Sequence, residues 1–316
     1  MKTATKISIF IASIGLASLQ SCKKSAGSDT TPAKPTTPAI TTTTPVTVVP
    51  NNYTNPNTAS AVCDYDIGDT SLTNHGWAKA FDDEFTSDLS NWGAVHGGMI
   101  REQQCYQPAN ATITNGVLQI AAKHETVTGP KAVGNDTTAS FDYTSAWVVC
   151  KKSFVANAAT QKVRIVARIK MAAGYGLTSL FWSYGSGAWP TQGEIDNAEV
   201  QGDKTKVYAT DYSYGAKANL NTVSGGIEYN PVTEDLSACY HVYTMEWTQN
   251  ALNSYLDGKL VESKTKGNFV SSLFGKPQFI SLSLPVGGEY YNNLNLANVQ
   301  AGTMYVDYVK VFTSSK

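Results

Sequence analysis

The chain has 316 residues, 42% of them hydrophobic, enough to bury a full core without metal or disulfide staples. Only 16% are charged and the formal net charge is -1. That balance excludes the basic field needed to grip nucleic acid and points to a neutral partner. Aromatic residues make up 10%, with 17 Tyr and 6 Trp.

The chain opens MKTATKISIFIASIGLASLQSC, in which Lys2 and Lys6 lead an apolar run over 7–19. Such a run is too short to span a bilayer and reads as an export signal. Its end, Leu19-Gln20-Ser21-Cys22, resembles the bacterial lipoprotein signal. The resemblance implies that 1–21 is removed and that Cys22 is acylated. The protein would then be exported and lipid-anchored to the outer membrane, on its periplasmic or its cell-surface face. Residues 22–60 are rich in Thr and Pro and almost free of large apolar side chains, the composition of an extended, disordered linker. A single folded domain is expected over 61–316, as a monomer. Export also permits disulfides among Cys63, Cys105, Cys150 and Cys239. Three connectivities stay open, as do buried unpaired thiols, and no pair has metal-site spacing.

From Cys63 onward, short runs rich in β-branched and aromatic residues alternate with Gly, Asn, Asp and Pro clusters. ATITNGVLQIAA (111–122), KVRIVARIKM (162–171), HVYTMEW (241–247), SYLDGKLVES (254–263), FISLSLPV (279–286) and MYVDYVKVF (304–312) all read as strands. Asn115-Gly116 and Asp257-Gly258 predict tight hairpins. So many strands without an internal linker predict an all-β jelly-roll sandwich of two curved antiparallel sheets.

One stretch stands out chemically. TQGEIDNAEV (191–200) sets Glu194, Asp196 and Glu199 within six positions. On a strand Glu194 and Asp196 share a face, whereas Glu199 falls on the other. A β-bulge at Asn197-Ala198 returns Glu199 to the shared face, and bulges often flank active sites. The two Glu Cα atoms then lie about 13 Å apart along the strand. Long side chains leaning inward could bring the carboxyl groups to the roughly 5 to 5.5 Å that retaining glycosidases use. Crowded like charges raise the pKa of one member, which suits one ionised nucleophile and one protonated acid. By themselves such strings also occur on solvated acidic strands and in calcium sites.

The surroundings narrow the choice. Upstream lies GLTSLFWSYGSGAWPTQGEID, and with FDDEFTSDLSNW (81–92), REQQCYQPANATITNGVLQIAAKHE (101–125), QKVRIVARIKMAAGYGLTSLFW (161–182), YTMEWTQNALNSYLDGKLV (243–261), LPVGG (284–288) and VDYVKVF (306–312) it resembles glycoside hydrolase family 16. The resemblance runs from about Trp77 to Phe312. It implies a jelly-roll cleft for a β-linked polysaccharide, with Glu194 as nucleophile, Glu199 as acid/base and Asp196 as helper. The two residues between Asp196 and Glu199 look like the laminarinase, agarase and carrageenase branches, so the substrate is expected to be a β-1,3-glucan or mixed β-glucan. A marine galactan, or glycan binding without turnover, stays open as an alternative.

Sugar rings stack their C–H faces on indole, so Trp182 and Trp189 are candidate substrate contacts, with Glu102 as a polar partner. The remaining Trp residues read as packing, Trp147 standing before a strand that could border the cleft. Three departures bear on substrate: Arg101 where Asn usually precedes Glu102, ATDYS (209–213) without the usual His, and Glu289-Tyr290 where Asn-Trp is usual. An Arg101 in the cleft could pair with an anionic sugar; an outward Arg101 would merely be solvated. No cofactor is required. The resemblance allows one structural calcium on the convex side, held by Glu84, the Gly116 backbone oxygen and Asp307.

Overall fold

A computed structural model describes residues 58–316 other than 75, 224–225 and 266–268. The expected leader, the acylation site Cys22 and linker residues up to 57 lie outside the described residues. In chain order the strands are β1 (Ala78–Asp83), β2 (Trp92–Ala94), β3 (Gln104–Tyr106), β4 (Ala111–Thr114), β5 (Val117–Pro130), β6 (Thr138–Ser145), β7 (Trp147–Phe154), β8 (Lys162–Lys170) and β9 (Thr178–Tyr184). They continue as β10 (Glu194–Gln201), β11 (Val207–Ser213), β12 (Glu228–Pro231), β13 (His241–Thr248), β14 (Ala251–Leu256), β15 (Lys259–Thr265), β16 (Gln278–Ser283) and β17 (Gly302–Ser314). One short helix, α1 (Asp69–Thr73), precedes them.

The strands form two sheets, as the alternating pattern predicts. The first is seven-stranded in the order β12-β11-β10-β9-β16-β7-β2. The second follows β15-β14-β13-β8-β17-β5-β6-β3, with β1 added on β17 and β4 on β5. Both predicted hairpins form. Asn115-Gly116 joins β4 to β5 and Asp257-Gly258 joins β14 to β15, each dipeptide at positive φ (53° and 75°, 48° and 75°), the backbone that a two-residue hairpin turn requires. One pair departs from the antiparallel expectation, since β3 runs parallel to β6. β3 leads into β4 through a single 3-10 turn (Pro108–Asn110), and β4 and β6 both pair antiparallel with β5. Its direction is therefore already set.

The core lies between the sheets. Ile195, Ala198 and Val200 of β10, Phe181 of β9 and Ile280 and Leu282 of β16 share one cluster with Ile165 and Ile169 of β8, Met245 and Trp247 of β13 and Val309 and Val311 of β17, all essentially without exposure. Alternate residues of the second sheet (Val166, Val242, Tyr308 and Phe312) point outward. There Leu72 of α1, Tyr65, Ile67 and Trp77 cover them. Trp77 also lies under the Arg164 guanidinium, 4.1 Å from its ring centre. Trp77, Trp92 and Trp247 are thus packing residues, as expected.

Of the open cysteine pairings, the fold selects Cys63 with Cys239 and leaves Cys105 and Cys150 buried as thiols. The bridge closes a loop across 176 positions, long enough to restrict the unfolded chain strongly. Beside it the Asp257 carboxylate accepts from the backbone N–H groups of Val62 (2.7 Å) and Val242 (2.8 Å) and pairs with buried His241 at 2.9 Å. Replacing both bridged cysteines by Ser is expected to lower unfolding stability by about 2 to 4 kcal/mol. Urea denaturation checks this; an unchanged midpoint would show that the bridge contributes nothing.

Candidate active site

β10 carries the three acids, and its register explains how they come together. Against β9, Asp196 faces Trp182 while Ala198 faces Phe181, which leaves Asn197 as an extra residue. Against β11, Asp196 faces Asp211 and Glu199 faces Ala209, so Asn197 and Ala198 together oppose Thr210. The predicted bulge therefore forms at Asn197-Ala198. It keeps Ile195, Ala198 and Val200 in the core. Directly opposed residues share a face, and Glu194, Asp196 and Glu199 oppose Tyr184, Trp182 and Leu180 of β9. Those three side chains belong to a separate cluster outside the core. All three carboxylates thus lie on the outer face of the seven-stranded sheet.

Each outer glutamate has its own aromatic donor. Trp189 donates its indole N–H to Glu194 Oε2 at 3.1 Å. It stands at the turn before β10, where the Trp189-Pro190 peptide is cis. Tyr290 donates its hydroxyl to Glu199 Oε2, arriving from the loop after β16. Glu194 and Asp196 are each only 5% exposed, whereas Glu199 opens onto a pocket of about 310 Å³ lined also by Gln201, Lys204, Tyr229 and Tyr290. The nucleophile candidate is enclosed and the acid/base candidate borders open space.

The floor beside the acids is aromatic. Trp182 packs against Tyr184 (ring centres 5.0 Å apart) and Trp147 (5.5 Å), and Tyr106 meets Trp147 edge-on. Trp182 donates to Ser283 Oγ at 3.2 Å, and the Trp147 indole donates to Ser281. Trp182 is 5% exposed, so it forms the floor of the cleft and is no free-standing platform. Tyr106 and Tyr184 belong to the site although no motif pointed to them, Trp147 joins it on the strand expected to border the cleft, and Tyr290 joins it from the loop whose departure bore on substrate. For Trp147 a signal existed: in Trp147-Val148-Val149-Cys150 the even positions are core residues, which turns Trp147 to the cleft face.

Glu102 sits at the other side of the floor, bridged to Gly287. Gln104 donates to its carboxylate at 2.5 Å and holds the Val286 N–H with its own carbonyl oxygen at 2.7 Å. Burial pushes the Glu102 carboxyl up to about 7, against the hydrogen bonds from Gln104 and Tyr106, with nearby Glu289 adding to the rise. Arg101 is exposed at positive φ (68°), and its carbonyl accepts from the Gly288 N–H at 3.1 Å. It therefore stands at the cleft rim beside the Gly287-Gly288 turn.

The residues expected to hold calcium have other partners here. Glu84 pairs with Lys310 at 2.9 Å and Asp307 with Arg168 at 2.8 Å, while Gly116 sits in the β4–β5 turn. Carboxylates neutralised by a lysine and an arginine do not offer the oxygen cage that calcium takes, so these residues as arranged do not fit the ion. Among the described residues no group of three or more His, Cys, Asp or Glu gathers to hold a metal.

Residues 109–310 match the family model described as Glycosyl hydrolases family 16. The chain belongs to that family. It is 27% identical over 256 residues to the clotting factor G alpha subunit of Tachypleus tridentatus and 24% identical over 257 residues to the glucan endo-1,3-beta-glucosidase A1 of Niallia circulans. These matches cover 75% and 77% of this chain but only 34% and 36% of those proteins, so this chain spans about a third of their length. The solved endo-beta-1,3-glucanase of Pyrococcus furiosus superposes with a TM-score of 0.64 at 27% identity, covering 75% of this chain and 95% of that one.

The raised Glu102 carboxyl predicts a pH dependence. Its folded value, about 7, lies above the ordinary 4.5, so its contribution to stability is complete below about pH 4.5 and is lost as pH rises through 7. Glu102→Gln has no such loss. Melting temperatures of the two proteins at pH 4.5, 6 and 8 should therefore diverge in favour of the variant as pH rises. Glu228, also pushed up to about 7, is common to both and cancels in the difference. A constant difference would contradict the assignment.

Proposed function

We propose that this family 16 member is an exported, retaining endo-β-glycosidase acting on a β-1,3-glucan or a mixed-linkage β-glucan. The observation that carries the reading is the single outer face of β10, with Glu194 under an indole donor, Glu199 at an open pocket and Asp196 between them. Ionised Glu194 attacks the anomeric carbon while Glu199 gives its proton to the departing glycosidic oxygen. The result is a glycosyl ester on Glu194. Glu199, now a carboxylate, takes a proton from water as that water attacks the same carbon, releasing the sugar and the free Glu194 carboxylate. Two displacements restore the β configuration. Asp196 shares a proton with the nucleophile and disfavours simultaneous ionisation of both glutamates. Relatives named as endo-1,3-β-glucosidase and endo-β-1,3-glucanase support the glucan. The exposed Arg101 beside the Gly287-Gly288 turn favours a second reading, a sulfated galactan, because a guanidinium pairs with sulfate.

Incubating the soluble domain with laminarin, lichenan, agarose and carrageenan should yield new reducing ends from the first two. NMR of freshly released product should show the β-anomer first; an α-anomer would rule out retention. Glu194→Gln is expected to lower turnover by at least about 10⁴-fold while oligosaccharide binding survives. Glu199→Ala should remain slow until azide is added, then form a β-glycosyl azide. The proposal extends to the anchor: acyl chains on Cys22 would supply the membrane affinity, and among the described residues no helix is long and apolar enough to cross a membrane. Cys22→Ala should therefore move the protein from the membrane fraction to the soluble one, and a protein that stays with the membrane would sink the lipoprotein reading.

A further inference from the structure

Tyr290 reaches Glu199 from outside its strand. It lies two positions beyond Gly288, in the loop after β16, and its hydroxyl donates to Glu199 Oε2 across 91 positions of sequence. Tyr290 and Glu199 line the same pocket.

From this contact we infer that Tyr290 is a positioning residue: by donating to one carboxylate oxygen of Glu199 it sets the protonation behaviour of the group that exchanges a proton with the glycosidic oxygen. The inference rests on the proposed role of Glu199 as acid/base. One group must be an acid in the first step and a base in the second, so its pKa has to lie near the working pH. Its neighbours pull in opposite directions. On β10, Asp196 and Glu194 share its face, Asp211 of β11 opposes Asp196, and Glu289 adjoins Tyr290 in the loop. These acids favour the protonated form. Lys204 at the pocket rim favours the carboxylate, and Tyr229 of β12 faces the pocket as a neutral phenol whose own ionisation Glu199 disfavours. β9 and β16 present Leu180 and Ser283 in this row and add no charge.

A donated O–H stabilises the charged form of its acceptor. Tyr290 is therefore the element that stops the crowded acids from driving Glu199 permanently into its protonated state. Burial and the Glu199 charge push the phenol well above its ordinary range, so it remains a donor throughout the working pH range.

Tyr290→Phe keeps the ring and removes the donor, and it is tested by two independent readouts. The first is the pH dependence of kcat/KM on laminarin, whose basic limb reports the acid/base in the free enzyme. In the variant that limb is expected to move up by about one pH unit, with a several-fold fall in kcat at neutral pH and little change in KM. The second uses no substrate: 13C NMR titration of carboxyl-labelled Glu, with the Glu199 signal identified by its loss in Glu199→Gln. Its midpoint should rise by the same amount. A role in packing alone would lower the melting temperature and leave both titrations where they are, and an unchanged Glu199 midpoint overturns the inference. Should the wild type hydrolyse no glucan while the NMR midpoint still rises, the proposed substrate fails and the Tyr290–Glu199 coupling stands.

Discussion

A strand repeats every two residues, and three carboxylates spaced two and then three positions apart cannot share one of its faces. The extra residue at Asn197 is the constraint on which the rest of this site depends. Were that residue held in regular alternation instead of in a bulge, Glu199 would turn into the inter-sheet core and Ala198 would take its place in the cleft. With the bulge, Ile195, Ala198 and Val200 seal the core while Glu194, Asp196 and Glu199 line the outer face. Ala198 and Val200 then continue the core pattern that Ile195 begins. The bulge thus satisfies packing and chemistry together, and either demand alone would select it.

Around that face the aromatic side chains act chiefly as hydrogen-bond donors and walls. Trp189 binds Glu194, Tyr290 binds Glu199, and Trp182 and Trp147 tie to Ser283 and Ser281 of β16. Each indole or phenol has an apolar body that packs and a polar tip that needs a partner when buried. Here the partners are either the acids or the serines that the floor strand places in their row. Tyr106 hydrogen-bonds both Glu102 and Ser283, and Ser283 accepts from Trp182. One network therefore spans the floor from the rim acid to the strand beside the bulge. Its rigidity is what a site needs whose groups must hold position to a fraction of an ångström.

Much of this was legible in the sequence because it is local. Asn-Gly and Asp-Gly dictate their turns, alternation dictates strand faces, and the odd spacing of the acids dictates the bulge. What was illegible depends on sheet order. Trp147 joins Trp182 only because β16 lies between β7 and β9, and Tyr290 meets Glu199 only because the loop after β16 folds back over β10. The cysteine pairing is of the same kind, since nothing local links Cys63 to Cys239. Glu84 and Asp307 looked like calcium ligands as long as their neighbours were unknown. Lys310 and Arg168 meet them because β8 and β17 are adjacent and β1 adds to β17, which motif spacing does not reveal.

The same logic applies to where the folded unit begins. Ala59 lies in the stretch whose composition reads as linker, yet its N–H donates to the Pro231 carbonyl at 2.8 Å and its carbonyl accepts from the Thr233 N–H at 3.1 Å. It thereby caps the end of β12, the edge strand of the seven-stranded sheet. Val62 then bonds Asp257 in the β14–β15 turn, Cys63 joins Cys239, and Tyr65 and Ile67 lie on the outer face of the second sheet. Residues 58–67 thus run from the edge of one sheet to the outside of the other, across the side where Lys264 and Glu262 of β15 meet buried Thr210 of β11. Composition cannot announce such a strap, because its residues are held by backbone bonds and a bridge and bury few large side chains. It ties the edge of the sheet that bears the acids to the opposite sheet.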